Sequence, residues 1–439
     1  MKHLTHMFRK GIISILLVFS VMVAAEAQTG TWSGKLDIQG SKLSVVFHLD
    51  AENPVMDSPD QGVRGIPIQV ERSGAGKIVI SIPSIGARYE GIWMLKQIAG
   101  TFSQMNLSLP LMLTPGDNKP KRPQTPSGPF PYTTEEVSFT NGETRLYGTL
   151  VLPEGHSRQT PALIMVTGSG QQNRDEEIFD HKPFAVIADA LARKGIASLR
   201  YDDRGYSGYE GNISECTVED FMNDALAGID LLKEQFDEAG VIGHSEGGTI
   251  AMMLAAAQKV DFAISLAGMA VSGAETLIWQ NRIALSEAGV PEETIETYLK
   301  LLSGAFEAAI YGTSMPEVET TDLPDALKRN YLTVTKVIQT PYMRHFLGLD
   351  IRSRLNRITC PVLALNGTKD IQVEPESNLG AIRSALSDRP NSTIQTVEGV
   401  NHLFQHCNTG SASEYKEIEE TFAPEVLDMI VSWILPLVP

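Results

Sequence analysis

The chain has 439 residues, enough for two domains and a large core, with 42% apolar and 20% charged residues, the balance of an ordinary water-soluble globular protein. Its formal charge is −17. A surface that acidic repels nucleic-acid phosphates and anionic lipid head groups, which argues against nucleic acid as a partner.

Residues 1–27 read as a targeting segment. Lys2, Arg9 and Lys10 form a positive start, and Gly11 to Ala25 an apolar run short for a membrane span. Ala25-Glu26-Ala27 fits an A-x-A cleavage site before Gln28. Cleavage there takes the chain from 36 basic and 53 acidic residues to 33 and 52, a net charge of −19. The mature chain is then expected to be exported, with no membrane span left. The chain's three cysteines, Cys216, Cys360 and Cys407, allow one disulfide in an exported protein. Cys216 and Cys407 are expected on the same side of a sheet and form the candidate pair, with Cys360 at the opposite end.

Residues 28–116 read as all-β. Thr31 to Ile38 and Lys42 to Leu49 suggest a hairpin, and Ile66 to Glu71, Lys77 to Ile82, Arg88 to Trp93 and Gly100 to Ser103 continue as short strands. A small barrel or sandwich is expected, as a structural companion to the rest or as a ligand holder. Gly74-Ala75-Gly76-Lys77 is no phosphate loop: Ile78 follows the lysine, and Glu71 stands where the first glycine belongs. Residues 117–131 form a Pro-rich linker.

Residues 132–439 alternate strands and helices, the pattern of an α/β fold with a mostly parallel sheet and helices on both faces. Val137 to Phe139 and Thr144 to Leu152 predict an antiparallel hairpin. Pro161 to Val166, Ala197 to Tyr201 and Ala263 to Leu266 are buried strands, and Lys182 to Arg193 a helix. Thr217 and Asp220 form a capping box for a helix ending near Gln235. Residues 269–350 turn purely helical and predict a cap over the strand ends, with helices over Glu275 to Ala288, Glu292 to Tyr311 and Pro324 to Gln339. Trp279, Tyr298, Phe306, Tyr331, Tyr342 and Phe346 are candidates for a pocket lining or for the cap's own core. Pro424 to Trp433 is the last helix, with proline in its first turn.

Gly243-His244-Ser245-Glu246-Gly247 lies between the apolar run Ala239 to Ile242 and an Ala-rich helical stretch. That setting makes G-x-S-x-G a nucleophile elbow, a strand reversing into a helix with the serine exposed at the turn. A serine hydroxyl needs a base, and the base an orienting acid. Asp370 follows the strand run Cys360 to Leu365, and His402 follows Ser392 to Val397. All three fall past strand C-termini, on one side of the sheet.

From about Pro131 to its end, the chain resembles an α/β-hydrolase with a Ser-Asp-His triad. Val166 to Glu176 is similar to the oxyanion loop of exported bacterial carboxylesterases grouped with the serine aminopeptidases, and Arg200 to Gly208 resembles that group's loop after the next strand. Gln171 departs from the proline usual there. The resemblance implies a periplasmic or secreted bacterial enzyme that needs no cofactor and acts on small-molecule esters. Ser245 is then the nucleophile, His402 the base and Asp370 the acid that orients it. The main-chain N–H groups of Ser169 and Glu246 form the oxyanion hole, and the Glu246 side chain is incidental. Arg204 anchors its loop to Asp202 or Asp203. His244 has no assigned role. Aminopeptidase or amidase activity on the same fold is the first alternative, and a non-catalytic ligand-binding protein the second. Glu275, Glu287, Glu292, Glu293 and Glu296 of the cap read as surface and capping residues. The natural substrate and the oligomeric state stay open.

Overall fold

The computed structural model describes residues 29–437 apart from 39–40, 51, 74–75, 95, 118–120, 207–210, 320 and 390. The expected targeting segment and Gly74-Ala75 lie outside the described residues. The chain divides into two compact units, residues 1–119 and 120–439.

The first unit is one antiparallel sheet. Its strands are β1 (Thr31–Ile38), β2 (Ser41–His48), β3 (Val55–Ser58), β4 (Val63–Pro67), β5 (Gln69–Ser73), β6 (Lys77–Ile82), β7 (Ala87–Met94), β8 (Gln97–Gln104) and β9 (Leu107–Pro115). The order is β4-β3-β2-β1-β9-β8-β7-β6-β5. The two end strands are joined through the single residue Ile68, so the strip curls around one core containing Phe47, Ile78, Ile80, Tyr89, Ile98 and Leu113. The buried Tyr89 hydroxyl shares its one hydrogen between the carbonyl oxygens of Ile98 and Leu111, so its burial leaves no unsatisfied donor. The run Ile66 to Glu71, expected as one strand, breaks at Ile68 into two. β3 and β9 were not expected. The prolines of β9 disguise it: β1 pairs with it only at Thr114 and Pro115, which leaves the stretch around Pro110 with one neighbour, where proline is tolerated.

The second unit is an α/β-hydrolase fold. Its strands are β10 (Tyr132–Asn141), β11 (Thr144–Pro153), β12 (Ala162–Val166), β13 (Ala197–Tyr201), β14 (Ala239–His244), β15 (Ala263–Leu266), β16 (Val362–Gly367) and β17 (Thr393–Val397). They run in the order β10-β11-β13-β12-β14-β15-β16-β17. The pairs β10–β11 and β11–β13 are antiparallel, and the rest are parallel. Every residue of β12, β14, β15 and β16 is buried, as helices on both faces require. Leu163 and Met165 pack with the helices Pro183–Ala192 and Pro424–Ile434 on one face. Ile164 and Val166 pack on the other with the helices Val218–Gln235, Glu246–Ala256 and Pro375–Leu386. The Thr217–Asp220 capping box forms, with the Thr217 N–H donating to Asp220 Oδ2 at 2.8 Å.

Among the described residues, four cap helices, Gly273–Glu287, Glu292–Tyr311, Asp325–Val337 and Pro341–Gly348, and then the short helix Arg352–Leu355 stand between β15 and β16. The fourth was not expected. Pro341 sits in its first turn, where the missing N–H costs nothing, behind the Thr340 cap. Among the described residues, no helix is long and apolar enough to cross a membrane. None of the three cysteines is joined in a disulfide. The Cys216–Cys407 pair is not joined: Cys216 Sγ meets the Arg204 guanidinium at 3.7 Å, and Cys407 Sγ the Gly399 carbonyl at 3.7 Å.

Candidate active site

β14 ends at His244, and the helix Glu246–Ala256 begins two residues later. Ser245 between them has φ 54° and ψ −118°, a conformation that L-residues avoid. Such strain costs roughly 1–3 kcal/mol and persists only when the surroundings impose it. Here the Ser245 N–H donates to the Leu266 carbonyl at 2.8 Å. A Cβ on Gly243 would lie 1.9 Å from the Gly247 oxygen, and one on Gly247 2.1 Å from the Val166 oxygen. The turn therefore closes only with glycine on both sides of the serine.

Asp370 lies past the end of β16, and His402 past the end of β17. The Asp370 carboxylate is fixed by the N–H groups of Gln372 and Val373 on Oδ1, at 2.7 and 2.9 Å. Its Oδ2 accepts from His402 Nδ1 at 2.8 Å. With Nδ1 donating, Nε2 is the acceptor nitrogen of a neutral ring. The His402 turn is braced by Asn401, whose Oδ1 accepts the N–H groups of Leu403 and Gln405. Ser245 and His402 line one cavity of about 570 Å³, together with Ser169, Met269, Tyr342 and Phe346.

The loop after β12 is held from beneath by two carboxylates. Thr167 Oγ1 and the Gln172 N–H donate to Asp203, whose carboxyl burial pushes well above the usual carboxylate range. The Gly168 N–H donates to Glu176 Oε1 at 2.7 Å. The Gly168 donor is thus spent, and the next N–H along the loop is that of Ser169. The Glu246 N–H is in the first turn of its helix, where no intrahelical acceptor exists.

The bonds made here by four side chains were not foreseen in the sequence. His244 Nδ1 lies 2.9 Å from Glu176 Oε1, and its Nε2 lies 2.9 Å from the His402 carbonyl oxygen. The Glu246 side chain is bonded on both sides of the cavity. It is buried, accepts the Tyr342 hydroxyl from the cap at 3.0 Å, and interacts with the Ser169 hydroxyl. Burial pushes its carboxyl up to about 7, against the pull of those two hydroxyls. One signal was present: a lone charged residue heads an otherwise apolar, wholly buried helix. Glu176 ends the loop that resembles an oxyanion loop and Tyr342 stood among the pocket candidates, but nothing in the sequence indicated that they bond His244 and Glu246.

Arg204 does not reach Asp202 or Asp203. Its Nε donates to Asp224 Oδ2 at 2.6 Å, because Asp202 is already taken by Arg174 and Asp203 by Thr167. Of the six cap aromatics, Tyr342 and Phe346 line the cavity, while Tyr298, Phe306 and Tyr331 are buried in the cap's own core. Trp279 lines separate grooves. Among the described residues, no cluster of three or more His, Cys, Asp or Glu is placed to hold a metal ion.

A profile of the family described as serine aminopeptidase, S33, matches residues 181–406, just over half of the chain, including the elbow, Asp370 and His402. The chain belongs to this family. It is thus a hydrolase with the α/β-hydrolase fold. The esterase EstD of Thermotoga maritima is similar to it, 28% identical over 312 residues, which cover 70% of this chain and 68% of EstD. Among solved structures, an esterase of Pyrococcus furiosus is 13% identical with a TM-score of 0.43, covering 70% of this chain and 92% of its own. Est1E from Butyrivibrio proteoclasticus is 18% identical with a TM-score of 0.40, covering 69% and 98%.

Proposed function

We propose that the protein is an exported serine esterase that cleaves small carboxylic esters through an acyl-enzyme. The observation that carries most weight is the strained, glycine-flanked Ser245 sharing a cavity with His402, whose ring is oriented by buried Asp370. Ser245 Oγ attacks the acyl carbon while His402 Nε2 takes its proton. Asp370 holds the tautomer and stabilises the imidazolium. The N–H groups of Glu246 and Ser169 receive the oxyanion, and each such donor is worth about 3 kcal/mol in the transition state. His402 then protonates the leaving alkoxide, and water repeats the sequence on the acyl-enzyme. Protein groups alone supply this chemistry. Similarity to EstD supports the ester class. The start of residues 1–27 supports export, with Gln28 as the mature N-terminus, which intact-mass measurement on exported protein checks.

Aminopeptidase action needs a free carboxylate for the substrate ammonium, since a buried unpaired cation is costly. Glu176 is occupied by His244 and Gly168, and Glu246 by Tyr342. The cap acids face away: Glu275 caps its helix and pairs with Arg352, Glu292 and Glu296 pair with Arg282, and Glu287 and Glu293 are exposed.

Two measurements test the proposal. A fluorophosphonate probe is expected to label the wild type and not Ser245→Ala, and kcat/KM on ethyl butyrate is expected to exceed that on alanine and proline p-nitroanilides. Anilide rates equal to or above the ester rate would replace esterase by aminopeptidase. Labelling of Ser245→Ala would remove the nucleophile assignment.

A further inference from the structure

His244 precedes the nucleophile and lines the same cavity, yet its side chain is buried. Its two nitrogens meet two acceptors. Nε2 faces the main-chain carbonyl of His402 at 2.9 Å. A carbonyl has no hydrogen to give, so Nε2 must donate. Nδ1 faces Glu176 Oε1 at 2.9 Å. A neutral ring with its hydrogen on Nε2 would set a lone pair against a carboxylate oxygen, so a second proton lies between Nδ1 and Oε1. Oε1 also accepts the Gly168 N–H at 2.7 Å, which makes it the poorer holder of that proton.

We infer that His244 is held as an imidazolium between Glu176 and the His402 carbonyl, and that this ion pair is a positioning device locking the oxyanion loop to the turn that carries the general base. The chain of contacts runs Gly168 N–H to Glu176, Glu176 to His244, His244 to the His402 backbone. Gly168 lies hard against the nucleophile: a Cβ there would be 3.3 Å from Ser245 Cβ. Loss of either bond frees the loop that presents Ser169 to move relative to His402. The reacting atoms are untouched, so His244 acts through its neighbours and not on the substrate.

The groups that face the ring agree with the charge. Burial alone would favour the neutral form. Glu176, the His402 carbonyl and Asp370 outweigh it, and the affinity of His244 for its proton is raised. The His402 ring, with its centroid 4.7 Å away, and the Phe404 ring at 6.5 Å complete its surroundings.

The inference rests on the triad and oxyanion hole proposed above, and its test separates the two. In Glu176→Gln, kcat on ethyl butyrate is expected to fall about tenfold or more, with KM little changed, because the loss falls on the transition state. The alkaline limb of its kcat profile moves to lower pH, since His244 loses the charge that holds its proton. In His244→Gln, kcat falls by a similar factor and that limb disappears. The double variant is no worse than either single one. Lowered melting temperatures with unchanged kcat and an unmoved alkaline limb would reduce the pair to a structural ion pair and overturn the inference. If neither variant folds, ¹⁵N–¹H spectra of the wild type decide it at about pH 7.5, a unit above the ordinary imidazole value. One histidine bearing two ring N–H protons, assigned to His244, is expected. A single ring N–H there overturns the inference. If the wild type cleaves no ester, the esterase proposal fails, while the rate of fluorophosphonate labelling of Ser245 still reports the link.

Discussion

The strand ends and the cap meet around one cavity and are built in opposite ways. The strand-end loops hold polar groups by buried bonds to other loops: Asp370 by two main-chain N–H groups, Glu176 by Gly168 and His244, Asp203 by Thr167 and Gln172. The cap gives the cavity chiefly apolar bodies, among them Leu277, Met343 and Phe346, and turns ion pairs such as Arg282–Glu296 outward. Groups that must meet developing charge need fixed geometry, whereas a surface that shapes a substrate needs only form. The Tyr342–Glu246 hydrogen bond is a polar tie from cap to elbow.

The contrast predicts a steep gradient of sensitivity. At the strand ends, Asp370→Asn leaves the structure in place but offers His402 Nδ1 the wrong partner, and a kcat loss of about 10⁴-fold is expected, measured on a non-activated ester. Gly247→Ala drives a methyl group into the Val166 carbonyl, with which it would overlap at 2.1 Å. Backbone cannot move aside as a side chain can, so a loss of about 3 kcal/mol or more is expected in urea unfolding, or no folded protein.

At the seam the expected effect depends on pH. The Glu246 carboxyl, raised by burial to about 7, holds its proton in the folded protein where the unfolded chain has released it. An acid raised on folding destabilises the fold as pH climbs. The penalty is absent below the ordinary glutamate value, grows between it and about 7, and is complete above. At about 1.4 kcal/mol per unit the full penalty is about 3 kcal/mol. Glu246→Gln is therefore expected to gain stability over the wild type between about pH 5 and 8 by that order, followed by melting at each pH. Equal pH dependence in both proteins would mean that Glu246 is ionised at no cost. On the cap surface, Arg282→Ala breaks bonds to Glu292 and Glu296 that are largely exposed. A change within about 0.5 kcal/mol is expected, with kcat/KM unaltered.

The parts that the sequence made legible share a physical cause. Ser245 and Asp370 each follow a strand with a plain apolar run, His402 follows the shorter mixed strand Thr393–Val397, and the fold's geometry puts all three on one side. The Thr217 capping box and the helix Glu292–Tyr311 were equally plain because their signals are local. Long-range features were not. Arg204 chooses Asp224 over its neighbours in sequence only because other loops have already claimed Asp202 and Asp203. His244 and Glu176 are 68 residues apart, and nothing in either stretch indicates the other. The helix Pro341–Gly348 is only eight residues long, too short for apolar spacing to mark it, and its proline sits in the first turn.

The cap's place in the topology reaches beyond this one molecule. β15 and β16 are hydrogen-bonded neighbours, with Ala263 beside Val362 and Leu266 beside Leu365. The chain leaves the sheet from one strand and returns to the next one over, so everything between is a detour that the ladder does not need. A segment attached in this way is a cassette. Descendants of such a gene can lengthen, shorten or exchange it and leave the hydrogen-bonded ladder of the sheet intact. Selection for new substrates can then work on the cap while the elbow and its glycines stay fixed. The Glu246–Tyr342 contact marks the seam where an exchanged cassette would have to be refitted.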